Sequence, residues 1–147
     1  MGAKDETTAT QVAEQQASNL VVRADEEPWT AAELEEVYRE LEAEANRLAL
    51  ELDLAESELA DLLRDATGGA GEDQVDAGAK TFEREHELSL ANNTRHLLIQ
   101  TQRAMVRIRD GSYGVCEGCG NPIGKARLLA FPRATLCMSC KKAEERR

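Results

Sequence analysis

All four cysteines of the chain fall in two Cys-x-x-Cys pairs, Cys116 with Cys119 and Cys137 with Cys140, and no other feature restricts the fold as tightly. A two-residue gap lets both sulfurs of a pair reach one ion, and two such pairs complete a tetrahedron. The 17 residues between Cys119 and Cys137 lie within the interval of about 15–20 that marks a four-thiolate zinc site. Two disulfides or a redox dithiol are the competing readings. The amino terminus lacks the basic-then-apolar pattern of a signal peptide, and no segment approaches a membrane span. These features predict a cytoplasmic protein, where thiols stay reduced and paired cysteines serve as metal ligands. Four protein ligands leave no position for water or substrate, so the expected cofactor is one structural Zn2+. Gly118 and Gly120 ease the tight turn of the first pair, and Lys125, Lys141 and Lys142 offset the surplus negative charge of the thiolates. The module is predicted to span residues 111–147 and to end in a short helix over Cys137–Arg147.

The rest of the chain reads as helix. Aromatic residues are 3% of the 147 and charged residues 31%, which suits long exposed helices better than a large core. Thr30 followed by Glu33 forms a capping box, with Trp29 and Leu34 at the flanking staple positions. Apolar residues then recur at Leu34, Val37, Leu41, Ala45, Leu48, Leu52, Ala55, Leu59, Leu62 and Ala66. From Leu41 the first step is four, and steps of three and four then alternate, the spacing of a coiled-coil seam, with one stutter at Leu41 and Ala45. A second helix is predicted from near Asp76 to Asp110, with Phe82, Leu88, Leu90, Ala91, Leu97, Leu98, Ile99, Ala104, Met105, Val106 and Ile108 marking more than one face. "RDGSYG" at 109–114 ends it.

The predicted stretches 34–66 and 78–110 are equal in length, 33 residues or roughly 50 Å each, and a short connection makes them antiparallel. The expected fold is therefore mainly α: a long antiparallel coiled-coil hairpin over 30–110, its tip at 67–77, followed by the finger. The tip is unusual. Gly68, Gly69 and Gly71 break the helix and Glu72, Asp73 and Asp76 follow at once, more acid than a turn or a single helix cap requires. Residues 1–29 show little periodicity and are predicted to be disordered, with at most a short helix near Val12–Val22. His86 and His96 have no cysteine near them in sequence and read as ordinary surface or seam residues.

Charge is uneven. Residues 111–147 hold seven Lys/Arg against three acids, a balance of +4, so with a net charge of −10 the other 110 residues carry −14. Such a chain is a poor general nucleic-acid binder, and sequence-specific DNA binding is not expected. Arg127, Lys141 and Lys142 form the candidate basic contact surface.

"YGVCEGCGNPIGKARLLAFPRATLCMSCK", preceded by an acid-tipped hairpin, resembles the DksA/TraR family of bacterial transcription factors over about residues 30–147. The resemblance implies a non-enzymatic regulator that binds RNA polymerase directly and inserts its coiled-coil tip into the secondary channel to modulate initiation. The family tip motif is D-x-x-D-x-A. Asp73 and Asp76 fall on its two aspartates, and Gly78 replaces the alanine. Relatives that respond to the alarmone ppGpp use basic residues at the base of the finger. Lys141 retains one, but Gln100 and Phe131 stand at two others, which argues against strong ppGpp synergy. Two rival readings are a Gre-like transcript-cleavage factor, whose acids hold a second magnesium ion, and a DNA-binding zinc finger, which the net charge disfavours.

Overall fold

The computed structural model describes residues 13–67 and 74–147. Its helices are α1 (Ala31–Thr67), α2 (Gln74–Asp110), α3 (Lys125–Ala130) and α4 (Met138–Glu145), preceded by a helical stretch at 13–18. An isolated antiparallel bridge joins Val115 and Pro122. The glycines at 68, 69 and 71, with Glu72 and Asp73, lie outside the described residues.

The capping box starts α1. The Glu33 amide donates to Thr30 Oγ1 (3.2 Å), and the Thr30 amide donates to Glu33 Oε1 (3.1 Å). Trp29 is buried and Leu34 packs against the same core, so both staple positions face inward. The two long helices run antiparallel: Tyr38 meets Arg109, and further along α1, Glu56 meets Arg95 at 2.7 Å.

The molecule divides into two compact units, and α1 and α2 contribute to both. The first comprises residues 1–42 and 101–147. Its core gathers Ala17, Leu20, Trp29, Val37, Leu41, Ala104, Tyr113, Cys116, Ile123 and Leu128 from every element in the unit except α4. Trp29 and Tyr113 set their rings 6.0 Å apart in a tilted pair. The order seen over 13–29 departs from the predicted disordered segment. Ala17, Leu20 and Trp29 are buried, and their partners lie far along the chain, so no local periodicity announces the packing.

The second unit comprises residues 43–100. On α1 the predicted seam is the buried or half-buried face: Leu48 is buried, and Ala45, Leu52, Ala55, Leu59 and Leu62 are half-buried. On α2 the register differs from what the apolar residues imply. The buried or half-buried positions over 80–98 are Lys80, Arg84, Glu87, Ala91, Thr94, Leu97 and Leu98, and apart from Leu97 they are spaced four and three in alternation. Phe82, Leu88, Leu90 and Ile99 are exposed. A polar heptad face here is the one that meets the neighbouring helix.

Candidate metal centre

The first cysteine pair sits on a tight loop. The Cys116 amide donates to the Asn121 carbonyl (2.8 Å), Ile123 donates to Gly114 (2.8 Å) and Gly120 donates back to Cys116 (3.0 Å). The two glycines of this knuckle serve different needs. Gly120 has φ +76°, a left-handed conformation that side chains resist. Gly118 is required for space, since a Cβ there would stand 3.0 Å from Cys140 Sγ. The second pair lies at the start of α4, with Cys137 as its N-cap and Cys140 in its first turn. The knuckles are joined by the Glu117 amide donating to Thr135 O (2.9 Å).

All four Sγ atoms lie within 4.8 Å of one another, and Cys119 and Cys137 are 3.8 Å apart. Tetrahedral zinc with Zn–S of about 2.3 Å needs sulfur–sulfur edges of about 3.8 Å, so the cluster fits the ion with little movement. Among the described residues it is the one cluster of potential metal-ligating side chains, and neither histidine belongs to it. Cys116 is buried and receives the amides of Cys137 (3.2 Å) and Gly118 (3.4 Å) on its sulfur. Burial pushes its thiol up, but the amides of Cys137, Cys119 and Gly118 outweigh that and bring it down to about 6. Cys140 is pushed up to about 12 by hydrogen bonds with Cys137, Cys119 and Cys116. Cys116, Cys119, Cys137 and Cys140 would hold one Zn2+ as thiolates, so binding it would require all four sulfurs to give up their protons.

Helix α3 is an element that sequence reasoning missed, because "GKARLLA" is too short to show periodicity. It buries Leu128, and its Arg127 Nε donates to the Leu136 carbonyl (3.0 Å), next to Cys137. Arg127 thus supports the second knuckle and also lies 5.7 Å from the Phe131 ring centre, which makes it a weaker candidate for a free contact surface. Lys141 and Lys142 are exposed, Lys141 with Glu144 at 3.7 Å. Lys125 does not serve to offset the thiolates as expected. Its ammonium pairs with Glu33 at 2.6 Å, donates to Pro28 O (3.2 Å) and lies over the Trp29 ring.

Of the predicted tip residues, Asp73 lies outside the described residues. Asp76 is the third residue of α2 by backbone, and its side chain is not described. Gly78 follows within the helix, where an added Cβ would meet open space. Gln100 and Phe131 are both exposed.

Fold and site together define a helical protein organised around a four-cysteine zinc finger. Residues 111–146 match the prokaryotic dksA/traR C4-type zinc finger. The RNA polymerase-binding transcription factor DksA of Salmonella typhimurium is 34% identical over 120 residues, covering 82% of this chain and 76% of the relative. The Escherichia coli protein of the same name matches to the same extent, 34% over 120 residues. That of Caulobacter vibrioides is 40% identical over 75 residues, covering 51% of this chain and about half of the relative (53%). The solved structure of transcription factor DksA2 from Pseudomonas aeruginosa aligns with a TM-score of 0.63 at 30% identity, covering 78% of this chain and 84% of that one. The chain belongs to the DksA/TraR family.

Proposed function

We propose that the protein binds bacterial RNA polymerase directly in the cytoplasm and regulates transcription initiation, with the turn between α1 and α2 entering the secondary channel. One observation carries this reading. The likeness to RNA polymerase-binding transcription factors spans 120 residues, well beyond the 111–146 finger and into the paired helices.

The zinc finger holds the bases of α1 and α2, and the acids act at the other end. Asp76 is in the first turn of α2, where the helix dipole favours negative charge, and Asp73 precedes that helix in sequence. Carboxylates there are hard oxygen donors, suited to perturb Mg2+ or to engage basic groups of the polymerase. The protein regulates without cleaving RNA. The basic surface of Lys141 and Lys142 docks at the channel rim, and with Gln100 and Phe131 in place of cations ppGpp adds little.

In vitro transcription with purified polymerase tests the reading. Wild-type protein should co-purify with core enzyme and alter promoter output, with less than about a twofold further change on adding ppGpp. Asp73→Asn with Asp76→Asn should keep binding and lose most of the regulation. Full regulation by that variant would sink the tip mechanism, and failure to bind core enzyme would sink the partner. Transcripts in stalled complexes should stay uncut.

A further inference from the structure

The segment before α1 lies across the finger, and the finger is shaped to receive it. An added Cβ at Gly114 would stand 3.3 Å from the Val21 carbonyl oxygen, and one at Gly124 would stand 3.1 Å from Arg23 Cδ. Gly124 is also the N-cap of α3, a position that here offers no side-chain cap. The missing cap comes from 98 residues earlier in the chain. Glu26 Oε1 accepts the Lys125 amide (2.9 Å) and Oε2 accepts the Ala126 amide (2.9 Å). These are the first two amides of α3, which no carbonyl of that helix can reach. The carboxylate is itself oriented by the Arg23 amide (3.2 Å), while the Glu26 amide returns to Arg23 O (3.0 Å).

From α3 the chain of contacts leads to the metal ligands. Leu128 is fully buried in the core beside Tyr113 and Cys116, and Arg127 holds the Leu136 carbonyl one residue before Cys137. We infer that residues 13–29 are a strap belonging to the zinc module, with Glu26 as its latch: by capping α3 from outside, Glu26 fixes the second cysteine pair and slows zinc release. Glu26 is a positioning residue, acting on the ligands through α3. Glu27, its exposed neighbour, carries the same charge without these contacts.

The test uses the full-length zinc-loaded chain and a chromogenic chelator that reports zinc transfer. Glu26→Gln should release zinc about three- to tenfold faster and Glu26→Ala about tenfold or more, in line with loss of a helix cap. Glu27→Gln should stay within twofold of wild type. Amide exchange by NMR supplies a local readout that does not depend on release. In the wild type the Lys125 and Ala126 amides should be protected, and in Glu26→Gln that protection should fall at least tenfold while α1 amides keep theirs. Equal release from the Glu26 and Glu27 variants would overturn the inference. So would Lys125 and Ala126 amides in the wild type that exchange as fast as the uncapped first-turn amides of α4. If Glu26→Ala does not fold, Glu26→Gln and the wild-type amide measurement still decide.

Discussion

Over residues 31–42, α1 buries Val37 and Leu41 in a core that also contains Trp29, Tyr113 and Leu128; among its described side chains over 43–65 it fully buries only Leu48. Helix α2 shows the same contrast. Thr101 and Ala104 are buried in the first unit, whereas among the described side chains of 75–100 Ala91 alone is, and the positions that face inward with it include Lys80, Arg84, Glu87 and Thr94. The helices are continuous, so helix propensity does not separate the two regions. What separates them is what the seam meets: a compact metal-bound module in one unit and a second amphipathic helix with a polar seam in the other. Two helices alone bury too little to be stable without help. Stability is therefore concentrated in the unit that contains the metal, and the paired helices of 43–100 rest on half-buried, partly polar inward side chains and surface ion pairs such as Arg95 with Glu56.

The largest test of that contrast removes the metal. Cys116→Ser, or stripping zinc with a chelator, should abolish cooperative unfolding of the first unit, since structural zinc contributes on the order of 10 kcal/mol. Circular dichroism at 222 nm should fall. An unchanged unfolding midpoint would break the comparison. Next come matched truncations on one seam. Leu41→Ala should cost about 2–5 kcal/mol in denaturant unfolding, and Leu59→Ala, half-buried, about 1 kcal/mol. Equal costs would mean the units are equally packed.

A third test exploits the polar seam. Arg84 is half-buried and its Nε finds no acceptor, so Arg84→Leu should raise stability by about 1 kcal/mol and bring the second unit closer to the first. A loss of stability would show that the arginine is well satisfied. The smallest effect concerns acid. Glu33 is held below its ordinary value of 4.5, chiefly by the Lys125 ammonium and against the cost of burial, with further help from Thr30. A depressed carboxyl contributes its stability above the unfolded value and loses it as pH falls through the folded one. Stability should thus decline below about pH 4.5, and Glu33→Gln should flatten that part of the decline, measured as unfolding midpoint against pH.

Much of this was legible in the sequence where the signal is local. Thr30 and Glu33 stand three residues apart and form their box, the Leu/Ala spacing on α1 marks the face that is buried, and the cysteine spacing brings four sulfurs together. The α2 register was not legible, because exposed Phe82, Leu88, Leu90 and Ile99 mark faces other than the seam, while Lys80, Arg84 and Glu87 occupy seam positions usually held by apolar residues. Alternation of four and three beginning at Ala91 would have found it, given the partner helix. The strap was not legible for a different reason. Glu26 and Ala17 acquire their roles from residues about 100 positions away, and nothing near them in sequence records that.

The chain has one tryptophan, and it sits where the strap ends and α1 begins, buried against Tyr113 beneath the Lys125 ammonium. Its indole nitrogen has no acceptor. Any loosening that lets water reach Trp29 will shift its emission to the red, so the protein carries an intrinsic optical gauge of its metal-bound end. Zinc loading and chelation can each be followed on unlabelled material through that single ring.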